Sequence, residues 1–185
     1  MESLSFVLRT TYMNSQVFRY DEAMATTRTA TRWLTSDEQA AWRSFLAMQK
    51  LIRETLERQL QQDAGMPMTY YIILAMLSEA PERTMRMTEL AAIAGTSQSQ
   101  LSHAATRLEE SGWIERRRCL DDKRGYLAVL TDDGFAALSE AAPGHVESVR
   151  TVLFDALNPE QVGQLKSISD AVTAHSSTNG SSATN

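Results

Sequence analysis

MTELAAIAGTSQSQLSHAATRLEESGWIERRRCLDDKRGYLAVLT, residues 87–131, is the stretch whose reading decides the fold. A short helix opens at Thr88, whose hydroxyl can cap it, with Leu90, Ala91 and Ile93 as its apolar side. Gly95 interrupts it, and Ser97-x-x-Gln100 has the form of a capping box for a second helix. Two helices joined by so short a turn, with Ala91, Ala94 and Gly95 permitting close approach, predict a helix-turn-helix. In the second helix Leu101, Ala105 and Leu108 recur at i, i+4 and i+7 and form the buried stripe. Ser99, Ser102, His103 and Thr106 project to the other side, with Gln98 and Gln100 at the N-terminal end and Arg107 on the flank. Gln pairs bidentately with adenine, and Ser or Thr with several base edges, so this face is built for reading a major groove. A merely solvated face would carry more Glu and Lys; here Glu109 and Glu110 stand at the far end, where they repel phosphate least.

Gly112 supplies a C-cap. Trp113 to Cys119 and Tyr126 to Leu130 are then apolar-rich strands around a charged turn, which predicts a β-hairpin. A hairpin directly after a helix-turn-helix is a wing, and Lys123 and Arg124 at its tip suit a minor groove.

TELA, SQSQLSH, RLEESGWIERR, DDKRG and LAVLTDDG together resemble the winged-helix core of the multiple-antibiotic-resistance regulator (MarR) family, over about residues 35–171. The Asp122-Lys123-Arg124 pattern before an apolar strand is the most family-specific part, and the resemblance implies that Asp122 orients Arg124. It implies a mostly α fold, an α+β winged helix-turn-helix with a small wing hairpin. It also implies that the N- and C-terminal helices interlock into a homodimer on a pseudo-palindromic operator. Two readers would then sit one helical turn, about 34–36 Å, apart. In relatives, small aromatic acids or phenols bind between the dimer helices and the winged helix, which makes Trp42 and Tyr71 candidate ligand contacts. The chain departs from the family pattern at Gln100-Leu101 and Ala104-Ala105, which puts the operator sequence in question and lightens the packing under the reading helix.

The 185 residues carry a formal net charge of −5, which argues against indiscriminate coating of nucleic acid. A specific reader is compatible with it, because Arg116, Arg117, Arg118, Lys123 and Arg124 are gathered together. No apolar run is long enough to span a bilayer, and the N-terminus lacks the pattern of a secretory signal, so the expectation is a cytoplasmic protein. The single cysteine, Cys119, excludes an intramolecular disulfide. Its arginine neighbours keep open a second reading, a redox-responsive regulator. His145 and His175 show no ligand spacing with it, so no metal is expected. No phosphate loop or nucleophile–base pair is present, so neither a cofactor nor an enzyme is expected. A winged-helix module that binds protein is the other alternative; it would need neither the polar face nor the basic tip.

Along the chain, residues 1–32 read as a disordered extension, with Met24 as an alternative start, and residues 33–174 as one domain. Thr35 or Ser36 caps a long helix over about 36–62. Another helix runs from Met68 to Ser78, and a small strand covers Met85-Arg86-Met87, so the winged core spans about 66–131. Thr131 caps a helix over about 132–157, bent near Pro143, and Asn158-Pro159 starts the last one; together they make a second dimerisation region over 132–174. Residues 175–185 read as a disordered tail.

Overall fold

The computed structural model describes residues 31–119 and 125–180, with side chains through 175. The wing tip, with Asp122, Lys123 and Arg124, and the proposed extension up to residue 30 lie outside the described residues. Contacts group the chain into one unit ending at Gln39 and another from Ala40 onward. In the first, Thr35 and Glu38 cap each other reciprocally: Thr35 N donates to Glu38 Oε2 at 2.7 Å, and Glu38 N to Thr35 Oγ1 at 3.2 Å. This box opens helix α1, Ser36–Ala64.

The second unit continues with α2 (Met68–Glu79), a 3-10 turn (Pro81–Arg83), β1 (Thr84–Arg86), α3 (Met87–Ile93) and α4 (Gln98–Glu110). Then come β2 (Ile114–Arg118), β3 (Tyr126–Leu130), α5 (Asp132–Val152), a 3-10 turn (Phe154–Ala156) and α6 (Pro159–Gly180). The strands form one antiparallel sheet in the order β1-β3-β2, with Thr84 opposite Val129 and Ile114 opposite Leu130. Ile114, Ala128 and Leu130 turn inward at the strand period of two. They meet Ile73, Leu74 and Leu77 of α2, Leu90 of α3, and Leu101 and Leu108 of α4 in one core. Each leucine buried there contributes roughly 2 kcal/mol through loss of apolar surface to water.

Several boundaries differ from the sequence expectation. Helix α3 begins at Met87, with extended Arg86 in the N-cap position and no side-chain cap, so Thr88 is a helical residue and not the cap. The cause is β1, which hands its last extended residue directly to the helix. Helix α5 runs through Pro143 to Val152, and its continuation tightens into the 3-10 turn. Helix α6 starts with Asn158 capping Gln161 N at 2.9 Å and runs to Gly180, so it extends into the stretch expected to be a tail, whose residues 181–185 lie outside the described residues. Propagation adds one hydrogen bond per residue once a helix is nucleated. Ser and Thr are absorbed by back-bonding, as where Thr173 Oγ1 donates to Ser169 O at 2.9 Å.

Two junctions tie the sheet to α5. Gly112, at φ +74, lets Trp113 N reach back to Leu108 O at 2.9 Å and end α4. Thr131 then joins both parts: its hydroxyl donates to Gly112 O at 2.7 Å and accepts from Gly134 N at 3.0 Å, while its N–H donates to Trp113 O at 3.1 Å. Gly134 lies so close beneath that carbonyl that a Cβ built on it would stand 2.0 Å from Trp113 O. At the other junction Glu82 and Arg83 both adopt φ 53, a left-handed turn without glycine. Arg83 reaches Asp132 at 3.1 Å and lies 4.0 Å above the Phe135 ring.

Candidate nucleic-acid interface

Helix α4 stands on its predicted stripe: Leu101, Ala105 and Leu108 are buried, and Ala104 joins them. Gln98, Ser99, Gln100, Ser102, His103 and Arg107 are all exposed. The exposed face is a ridge between two grooves. On the wing side, Gln98 and Ser102 line a groove of about 610 Å3 with Arg86, Glu109, Arg116 and Tyr126. On the other side, Gln100, His103 and Arg107 line one of about 700 Å3 with Thr69 and Tyr70 of α2. The sequence reading did not place Thr69, Tyr70 and Arg86 beside α4, because only the packing of α2 and β1 brings them there.

The capping box is complete, since Ser97 Oγ accepts Gln100 N at 3.2 Å and Gln100 Oε1 accepts Ser97 N at 3.2 Å. Thr96 Oγ1 also donates to that oxygen at 3.0 Å. Gln100 Oε1 is therefore committed to the start of α4, unlike the side chains of Gln98 and His103. Arg107 pairs with Glu110 at 3.0 Å. Arg116 pairs with Glu109 at 2.6 Å, and hydrogen bonds from the Arg116 side chain, then from its backbone, hold the Glu109 carboxyl below the usual carboxylate range.

The two candidate ligand residues face different partners. Trp42 is half exposed on α1 and stacks on Phe45 with ring centroids 5.8 Å apart. Tyr71 instead packs on His145 of α5, centroids 4.2 Å apart at 41°. His145 Nδ1 is buried without a hydrogen-bond partner among the described residues. Burial pushes the Tyr71 hydroxyl above its ordinary value and the His145 imidazole below its own, 6.5.

His145 therefore gives stability a pH dependence of known sign. The unfolded chain takes up that proton near 6.5, whereas the folded chain resists it to lower pH. The unfolded state binds more protons in that window, so stability falls as pH drops below 6.5. His145→Phe keeps a ring against Tyr71 and removes the proton site, so urea melts at stepped pH should show a flatter decline between 6.5 and the carboxylate range. An unchanged decline would place the sensitivity elsewhere.

The MarR family profile matches residues 64–125, from the end of α1 to the start of the wing's second strand. The chain is 50% identical to Sco3205 from Streptomyces coelicolor, a MarR family transcriptional regulator crystallised in complex with DNA; the match covers 77% of this chain and 90% of that one, with a TM-score of 0.73. AbsC, a MarR family transcriptional regulator from the same organism, is 41% identical over 78% of this chain and 97% of its own, also at a TM-score of 0.73. The transcriptional repressor MprA of Escherichia coli is 29% identical over 126 residues, 68% of this chain and 70% of its own. With two such regulators at 50% and 41% identity matched over 90% and 97% of their own chains, the chain belongs to the MarR family of transcriptional regulators.

Proposed function

We propose that this chain is a cytoplasmic, homodimeric repressor that reads a pseudo-palindromic operator and is released by a small aromatic or phenolic ligand. The observation that carries the reading is the exposed face of α4, whose short hydrogen-bonding side chains stand above a buried Leu101–Ala105–Leu108 stripe. Neutral donors and acceptors on a raised ridge match the edges of bases in a major groove. DNA in the Sco3205 crystal and the repressor MprA among the relatives support the partner and the sign of regulation. Exposed Trp42, Phe45 and Leu51 on α1, with Ile168 and Val172 on α6, are the apolar surface that a second copy would cover. The Tyr71–His145 pair supports the ligand, since an unsatisfied imidazole nitrogen can accept a hydrogen bond from a phenol hydroxyl. The redox alternative is weaker, because the Cys119 side chain is buried and poorly accessible to an oxidant.

Gel-shift titration against the DNA upstream of its own gene, with and without phenolic acids, tests the whole reading; a protein with no site preference there or in a selected pool overturns it. Gln98→Ala and His103→Ala should each cost on the order of 1–3 kcal/mol against the operator with little loss of stability. Because the two side chains line opposite grooves, the losses should fall at different base positions of the half-site. Variants that rank single-base operator changes as the unmutated protein does would remove both residues from base reading. Arg124→Ala should weaken binding to many sequences alike and reduce the slope of log K against log salt by about one. An unchanged slope would remove the wing tip from the interface.

A further inference from the structure

Glu109, in the last turn of α4, turns both carboxylate oxygens onto one residue of the wing. Oε1 accepts the backbone N–H of Arg116 at 3.1 Å, and Oε2 accepts its Nε at 2.8 Å and Nη2 at 2.6 Å. Strand β2 is an edge of the sheet, with Arg116 opposite Ala128 of β3, and the carboxylate satisfies an N–H that the sheet leaves open. The grip is a forked ion pair plus a backbone hydrogen bond, which fixes direction as well as distance. It is not a buried stabilising pair: the two side chains retain 28% and 38% of their exposure, where solvent screening leaves an ion pair little net energy. It does lie in the wing-side groove beside Gln98 and Ser102.

Neighbouring cations are held in the same way. Arg107 is paired with Glu110 at 3.0 Å and Arg117 with Glu115 at 2.7 Å. At the root of the wing Arg116 and Arg117 are thus paired with carboxylates, as is Arg107 on α4, while Arg118 lies 6.0 Å from the Tyr126 ring. A free arginine there would attract any duplex, whatever its sequence, through phosphate.

We propose that Glu109 is a positioning residue of the DNA interface: by gripping Arg116 it sets the wing hairpin against α4 and keeps that guanidinium off the phosphates. This rests on the reading of α4 and the wing as the DNA-binding surface. Glu109 raises specificity by two routes, holding the wing where the bases under α4 are correct and suppressing sequence-independent attraction.

The test compares two probes: a duplex enriched by the unmutated protein from a random-sequence pool, and poly(dI-dC). Glu109→Gln should lower the ratio of the two affinities about tenfold, strengthen binding to poly(dI-dC) and steepen its salt slope by about one, as Arg116 becomes available to phosphate. Removing both charges, Glu109→Gln with Arg116→Gln, should return the slope to that of the unmutated protein while the ratio stays low. Arg116→Lys keeps the charge but loses the fork, so it should lower the ratio with little change in slope, and it carries the test if Glu109→Gln does not fold. A purely structural pair would move melting temperature and leave ratio and slope alone; that result in both single variants overturns the proposal. If the unmutated protein enriches no duplex, the DNA-binding reading and this inference fall together; if it does and the variants behave alike, only this inference falls.

Discussion

Gly134→Ala should destabilise the protein by about 3 kcal/mol or more, at the upper end of overpacking effects. The added carbon would stand 2.0 Å from Trp113 O and 2.8 Å from Trp113 C, which are main-chain atoms with no rotamer to change. Relief requires α5 to lift from the start of β2. That movement would stretch the Thr131 N–H to Trp113 O bond of 3.1 Å and the hydroxyl bond to Gly112 O of 2.7 Å. The end of α4, the root of the wing and the cap of α5 share these atoms, so they should loosen together. Urea melts read the loss directly, and hydrogen exchange should show faster opening at both ends of β2. A variant as stable as the unmutated protein would mean that the close approach is absent in solution.

Leu165→Glu with Ile168→Glu should abolish the proposed dimer and weaken operator binding by roughly a hundredfold or more. Ile168 and Val172 are 64% and 62% exposed, so α6 turns an apolar face outward. Paired readers bind their half-sites as one intramolecular event, and a separated protomer loses that gain in effective concentration. Because the substituted side chains are not members of the core built on α2, α3 and α4, each protomer should keep its fold. Light scattering should report half the mass, and circular dichroism an unchanged helical signal. A folded dimer after both substitutions would put the interface elsewhere.

The features legible in the sequence are those written by local chemistry. Ser97 and Gln100 define the start of α4 within one turn, and Leu101, Ala105 and Leu108 define its buried side, so the reading ridge is visible before any tertiary contact is known. The same holds for the Asn158 and Thr131 caps. Strand β1 is different: it owes its three residues to pairing with β3, and that pairing moves the start of α3 from Thr88 to Met87. Glu109 was legible only as an acid kept away from phosphate; its hold on Arg116 depends on how Gly112 turns the chain back. Tyr71 and His145 meet because α2 packs on α5, and nothing near either residue announces the other. Propensity and periodicity find elements and faces, whereas the partners of a face come from topology.

The left-handed turn at Glu82 and Arg83 has a consequence for motion. Two non-glycine residues in that conformation cost roughly 1–2 kcal/mol each. Against this stand an exposed Arg83–Asp132 pair and the guanidinium over Phe135, the latter contributing about 0.5–1 kcal/mol. The cost, about 2–4 kcal/mol for the two residues together, exceeds what these exposed contacts return, so the seam between the winged unit's first strand and the start of α5 carries strain that the surrounding packing must hold. The chain is therefore most ready to relax at this turn, which lies outside the buried core.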